Sequence, residues 1–132
     1  MNHRVTLLAG ALLTGTGVAA GALGAHGRLN ALLTERGMLH AWETGTHYQQ
    51  LHGVALLALA GWLRAGPGDA ATRPAMRAAW CWIIGAMLFS GSLYLLAAGA
   101  PAWVGPITPI GGVGLLAGWA YLIVAAFAAK GD

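Results

Sequence analysis

Charge is scarce in this chain. Seven Lys or Arg and four Asp or Glu make up 8% of 132 residues, against roughly a quarter in soluble domains. Eleven charged side chains cannot coat a water-soluble globule of this size, and 58% hydrophobic residues exclude a disordered chain. A net charge of +3 is too small for a phosphate-tracking surface, so no nucleic-acid partner is expected. Cysteine is nearly absent. Cys81 stands alone, which excludes an intrachain disulfide and any cysteine-based metal site, and leaves a small apolar helix residue. Acidic residues are missing from the apolar stretches, with Glu43 alone near one of them. Proton relays and cation pathways use intramembrane carboxylates, so their absence weighs against a pump. There is no nucleophile with a base at motif spacing, no phosphate loop and no pair of buried carboxylates, so no catalytic residue and no cofactor is assigned.

What the chain does have is long apolar runs. Spanning about 30 Å of hydrocarbon takes roughly 20 apolar residues in a helix. Val5 to Ala25 gives 21 residues without an ionisable group, Ala78 to Ala100 gives 23, and Gly105 to Ala129 gives 25. A fourth run is interrupted. Gly53 to Leu63 offers 11 clean residues, and extending it back to Trp42 makes 22, or about 33 Å of helix. That extension takes in Glu43, His47, Tyr48, Gln49, Gln50 and His52. The expected fold is an all-α, single-domain integral membrane four-helix bundle with spans at about 5–25, 42–63, 78–100 and 107–129. A half-length re-entrant second helix is the alternative. The first run is longer than a signal-peptide core and reads as a retained span. Between spans one and two, Arg28 to Gly37 puts Leu29, Leu32 and Leu33 on one face, a short interfacial helix that Gly37 stops.

Basic residues in short loops set orientation. Four spans place Arg4, Arg64, Arg73, Arg77 and Lys130 on one side and only Arg28 and Arg36 on the other. Both termini are therefore expected in the cytoplasm, in a bacterial inner membrane. Trp42, Trp62, Trp80, Trp82 and Trp103 fall near the expected interfaces, while Trp119 lies well inside a span.

Small residues form stripes. Gly10, Thr14, Gly17, Gly21 and Gly24 recur at steps of four and three in span one, and Gly111, Gly114 and Gly118 do so in span four. Such stripes let helix backbones approach closely in lipid, so Gly17, Gly21, Gly114 and Gly118 are the expected packing residues, within the bundle or in a homo-oligomer. Two matches to a dinucleotide fingerprint begin at Gly15 and Gly112. Both lie inside expected membrane helices without a preceding strand, and are discarded.

Polar residues inside a span point to function by default. In span two, His40, Glu43 and His47 share an arc of about 60°. Two imidazoles and a carboxylate are a known metal-ligand combination, but at the membrane surface a solvated face explains them better, so no metal is assigned. Gly45, Tyr48, Gln49 and His52 share another facet. His52 should lie about 15 Å below the helix start, where an unpaired imidazole costs several kcal/mol. Ser90 and Tyr94 on span three, His26 at the end of span one and Thr108 at the start of span four are candidate partners at similar depth.

The stretch Gly21 to Gly27, then Trp42, Thr44-Gly45, Tyr48-Gln49 and His52, resembles the first half of the YgdD-like membrane proteins. Phe89 to Tyr94, Thr108 to Gly112 and Gly118-Trp119 resemble their second half. The eukaryotic relative is transmembrane protein 256. The resemblance implies a small four-span protein, of the inner membrane in bacteria, and carries no assigned activity. His26, Tyr48, Gln49, His52, Ser90, Tyr94, Thr108 and Pro109 fall on the family's motifs, whereas His40, Glu43 and His47 fall outside them. The expected function is binding or transport of a small polar ligand, ion or lipid head group at His26, Tyr48, Gln49, His52, Ser90, Tyr94 and Thr108. A scaffold that shapes an oligomer is the alternative, and a lipid-modifying or His-metal enzyme comes third. The expected partners are the lipid bilayer and further copies of the chain.

Overall fold

The computed structural model describes residues 2–129 and is all-helical over them. Lys130, one of the basic residues used for orientation, lies outside the described residues. The helices are α1 (His3–Ala25), α2 (Gly27–Glu35), α3 (Leu39–Arg64), α4 (Asp69–Ala97) and α5 (Ile107–Ala128), with a single 3-10 turn at Ala102–Val104. Three helical stretches, His3–Ala25, Asp69–Ala97 and Ala102–Ala128, are long and apolar enough to cross a membrane. The 26 residues of α3 have the length, but the polar first half identified in the sequence keeps its hydropathy lower.

Local chemistry sets the helix ends. The Asn2 side chain accepts from the Val5 N–H at 3.1 Å and caps α1. His26 is extended, and Gly27 turns the chain into α2. That short helix ends in a Schellman pair, with Met38 N–H on Leu33 C=O at 2.8 Å and Gly37 N–H on Thr34 C=O at 3.0 Å. The pair needs the left-handed backbone that Gly37 supplies at φ 65°. The same device closes α4 at Gly99, where Ala100 N–H reaches Leu95 C=O. It therefore ends three residues short of the expected 100. At its other end α4 begins at Asp69, nine residues before the expected 78. Its first two turns, including Pro74 and Arg73, are helical although too polar to read as span.

The four long helices pack in chain order as antiparallel neighbours, with extensive interfaces between α1 and α3, α3 and α4, and α4 and α5. Leu56, Leu59, Ala75, Ala79, Trp82, Ala86, Leu115 and Ala125 form the core. Trp82, expected near an interface, is fully buried there. Its indole abuts Gly118, where a β-carbon would collide with Cδ1 and Nε1. The outward faces of α1 and α5 are apolar and exposed, from Leu8 and Leu12 to Val113, Leu116 and Phe127.

Glycines bring the pairs together. A β-carbon at Gly10 would come within 2.9 Å of Gly53 C=O, and one at Gly17 within 2.8 Å of Gln50 Cγ. At Gly85 it would stand 2.8 Å from Leu115 N, and at Gly114 3.3 Å from Gly85 Cα. Gly21 is looser, with Gln50 Nε2 at 3.5 Å. Gly17, Gly21, Gly114 and Gly118 thus all face a partner helix of the same chain.

Candidate functional site

The bare backbone of α1 has a second use. Three α3 side chains donate onto its carbonyls: Trp42 Nε1–H to Ala20 at 2.9 Å, Gln50 Nε2 to Gly17 at 2.9 Å and Gln49 Nε2 to Leu13 at 3.0 Å. These carbonyls lie one or two turns apart on the face lined by the glycines, and each has a lone pair left after its helix bond. Gln49 is fully engaged. It also donates to Thr16 Oγ1 at 2.8 Å, while its Oε1 accepts from the Tyr94 hydroxyl at 2.8 Å. Tyr94 packs on Trp42 with ring centroids 4.6 Å apart. One buried amide therefore joins α1, α3 and α4.

His52 is held as completely. Trp119 Nε1–H donates to its Nε2 at 3.1 Å, so the ring proton rests on Nδ1, which donates to Tyr48 C=O at 2.8 Å. The imidazole is 2% exposed and sits among Tyr48, Trp82 and Trp119 at centroid distances of 6.2, 6.1 and 6.0 Å. This second assembly bridges α3 and α5. A third joins α4 to α5, where the Ser92 and Thr108 hydroxyls meet at 2.7 Å and Ser92 also donates to Phe89 C=O.

The expected cluster is thus several separate assemblies. Gln49 and Tyr94 meet directly, and Tyr48 adjoins His52. Thr108 meets Ser92 instead of Ser90, whose buried hydroxyl has no partner among the described residues. His26 is exposed at the α1–α2 junction, and its side chain caps neither helix. Thr16, Trp42, Gln50, Ser92 and Trp119 take part without having been chosen as site residues. Trp119 carried a signal in the sequence, as the one tryptophan deep in a span. Arg36 was counted only as loop charge, yet it reaches Ala97 C=O at 3.2 Å and places a cation on the carboxyl end of α4.

Three depressions follow one another along α3. The first, of about 230 Å³, lies at its first turns and is lined by His40, Glu43, Thr44, His47 and Tyr48. Tyr48 also lines the second, of about 400 Å³, between α3 and α5. Leu51, His52, Phe89, Val113, Leu116 and Trp119 complete most of its wall. Trp119 in turn borders the third, of about 450 Å³, whose other walls include Ala55, Leu59, Trp62, Trp82 and Leu122. The lower two are apolar. No three His, Cys, Asp or Glu side chains among the described residues converge to hold a metal ion, His40, Glu43 and His47 included.

Residues 20–112 match the model of the family described as "Protein of unknown function (DUF423)". A UPF0382 membrane protein of Staphylococcus saprophyticus is 38% identical over 127 residues, covering 94% of this chain and 98% of that protein. YwdK of Bacillus subtilis, also a UPF0382 membrane protein, is 35% identical over 93% of this chain and 96% of its own length. The UPF0382 inner membrane protein YgdD of Escherichia coli is 35% identical over 98% of this chain and 95% of its own length. No solved structure matches the chain. With a family model covering its middle and relatives matched nearly end to end, this chain belongs to the DUF423 (UPF0382) family of membrane proteins.

Proposed function

We propose that this protein holds a single membrane lipid along α3, with the head group at the first depression and one chain in the groove between α3 and α5. The observation that carries the reading is the serial order of the three depressions. A depression lined by His40, Glu43, Thr44 and His47 at the start of α3 adjoins an apolar one at Tyr48, which adjoins another at Trp119. Ionisable residue types at one end and apolar ones along a membrane helix suit an amphipathic chain molecule. Gln49, Tyr94 and His52, by contrast, are engaged by one another, by Thr16 and Trp119, and by main-chain carbonyls. A small polar ligand or ion would have to break those bonds to enter, which favours lipid binding over passage.

The threading that fits this reading is a four-span bundle in which α3 crosses the membrane as well. Thr46, Gln49 and His52 are buried against protein, and the exposed Leu51 and Val54 face lipid. Arg4, Arg64, Arg73 and Arg77 gather at one end of the antiparallel array, opposite Arg28 and Arg36. Both termini then lie in the cytoplasm, and the inner-membrane name of the relative YgdD fits that location. The first depression, the mouth of the groove, opens on the opposite face.

Thermal unfolding tests the reading. Protein stripped of lipid in a bulky detergent should gain stability when phospholipid is added, by about 2.7 kcal/mol at a hundredfold excess over Kd. Gly112→Leu should remove that gain, because it fills the middle cavity. A β-carbon there meets only the Phe89 ring, at 3.7 Å, so the helices stay in place. A gain of equal size in wild type and Gly112→Leu, or none in either, would overturn the proposal.

A further inference from the structure

Resting on that reading, we infer that the head group bound at the mouth is a phosphoethanolamine, with its ammonium on Glu43 and its phosphate on His40 and His47. The three side chains recur at steps of three and four on one face of α3, and with Thr44 and Tyr48 they enclose the depression of about 230 Å³. Among the described residues, neither the Glu43 carboxylate nor either imidazole has a hydrogen bond or ion pair. The hydrogen bonds at His40 and Glu43 use only their backbone carbonyls, which accept from the Thr44 and Thr46 hydroxyls. These groups differ in this respect from the neighbouring Gln49, Tyr94 and His52, whose polar atoms are all engaged.

The composition of the mouth selects among head groups. One carboxylate beside two imidazoles offers both an acceptor for a compact ammonium and N–H donors for a phosphate. An anionic glycerol head group would meet the carboxylate without a compensating cation. A choline would ask for a cage of Trp, Tyr or Phe rings, and Tyr48 is the one such residue lining the depression. The position also fits. The ammonium and phosphate of a bilayer lipid lie at the membrane surface, where α3 begins, and the chain descends past Tyr48 into the cavity lined by Leu51 and Val113.

The test is a head-group competition. The full-length protein is reconstituted in nanodiscs with equal parts phosphatidylethanolamine, phosphatidylglycerol and phosphatidylcholine of the same chains, then extracted gently and its retained lipid identified by mass spectrometry. Wild type should retain phosphatidylethanolamine enriched about threefold over the input, the scale of one partly exposed ion pair. Glu43→Gln should keep a lipid but lose the preference over phosphatidylcholine. His40→Gln with His47→Gln should lower retention of all three. Lipid retained at the input ratio by wild type, or an unchanged preference in Glu43→Gln, overturns the head-group inference and leaves the groove standing. No retained lipid in wild type overturns both.

Discussion

Gly111 and Gly112 are neighbours on α5, and the same substitution should have opposite consequences at each. A β-carbon at Gly111 would collide with the Phe89 N–H, lie 2.8 Å from Phe89 Cα and stand 2.9 Å from Gly85 C=O. All of these are backbone atoms of α4, so no side-chain rotation relieves them and the two helices must separate. Forcing a methyl group into a closed contact of this kind costs about 1–3 kcal/mol. The loss falls on a contact that also seats Leu115 against Gly85. At Gly112 the new carbon would lie 3.7 and 3.8 Å from the edge of the Phe89 ring, in ordinary contact. Replacing glycine by alanine inside a helix then gains up to about 1 kcal/mol of propensity. The two variants have the same composition and mean hydropathy, so a difference between them isolates packing. Thermal unfolding in one detergent, followed by the loss of the monodisperse peak on size exclusion, should rank Gly112→Ala at or above wild type and Gly111→Ala well below. Equal behaviour of the two variants would refute the α4–α5 geometry.

Gln49→Leu should destabilise the protein by about 1–2 kcal/mol, because it strands the Tyr94 hydroxyl, and a cycle with Tyr94→Phe should show coupling of about 0.5–1.7 kcal/mol; additivity would count against the 2.8 Å bond. The nitrogen chemical shifts of His52 should identify the Nδ1–H tautomer, and Trp119→Phe should perturb them by removing the donor to Nε2; shifts indifferent to that change would contradict the pairing. Arg36→Met should cost roughly 0.3–1 kcal/mol by removing a cation from the carboxyl end of α4, read as faster hydrogen exchange around Ala97 than in the rest of α4; uniform exchange would argue against the Ala97 contact.

Much of this architecture is legible from residue spacing. Long charge-free runs demand helices because an unbonded backbone is too costly in lipid, and glycine at steps of three and four marks the faces that touch. Gly37 at the end of α2 is readable for the same reason, since only a left-handed residue closes that turn. The polar pairings are less legible. Depth alone groups His52 with Ser90 and Thr108, but which hydroxyl meets which depends on rotation about each helix axis. Ser90 and Ser92 are two residues, or about 200°, apart on α4, so the one that meets Thr108 is set by how α4 rolls onto α5. Trp42 and Gln50 escape notice as donors for another reason: their acceptors are main-chain carbonyls of Ala20 and Gly17 on the glycine-lined face of α1. Trp82 looks like an interfacial anchor by position, and becomes core because Gly118 leaves a slot for its ring. The grooves are unreadable from sequence, since they lie where α3 and α5 fail to close upon each other.

Native mass spectrometry of the protein released gently from the membrane that made it tests the central claim most directly. Wild type should fly with one phospholipid bound per chain, and Gly112→Leu, equally folded, should fly bare. Bare wild-type protein, or a lipid adduct that survives filling of the cavity at Gly112, would contradict a lipid seated between α3 and α5.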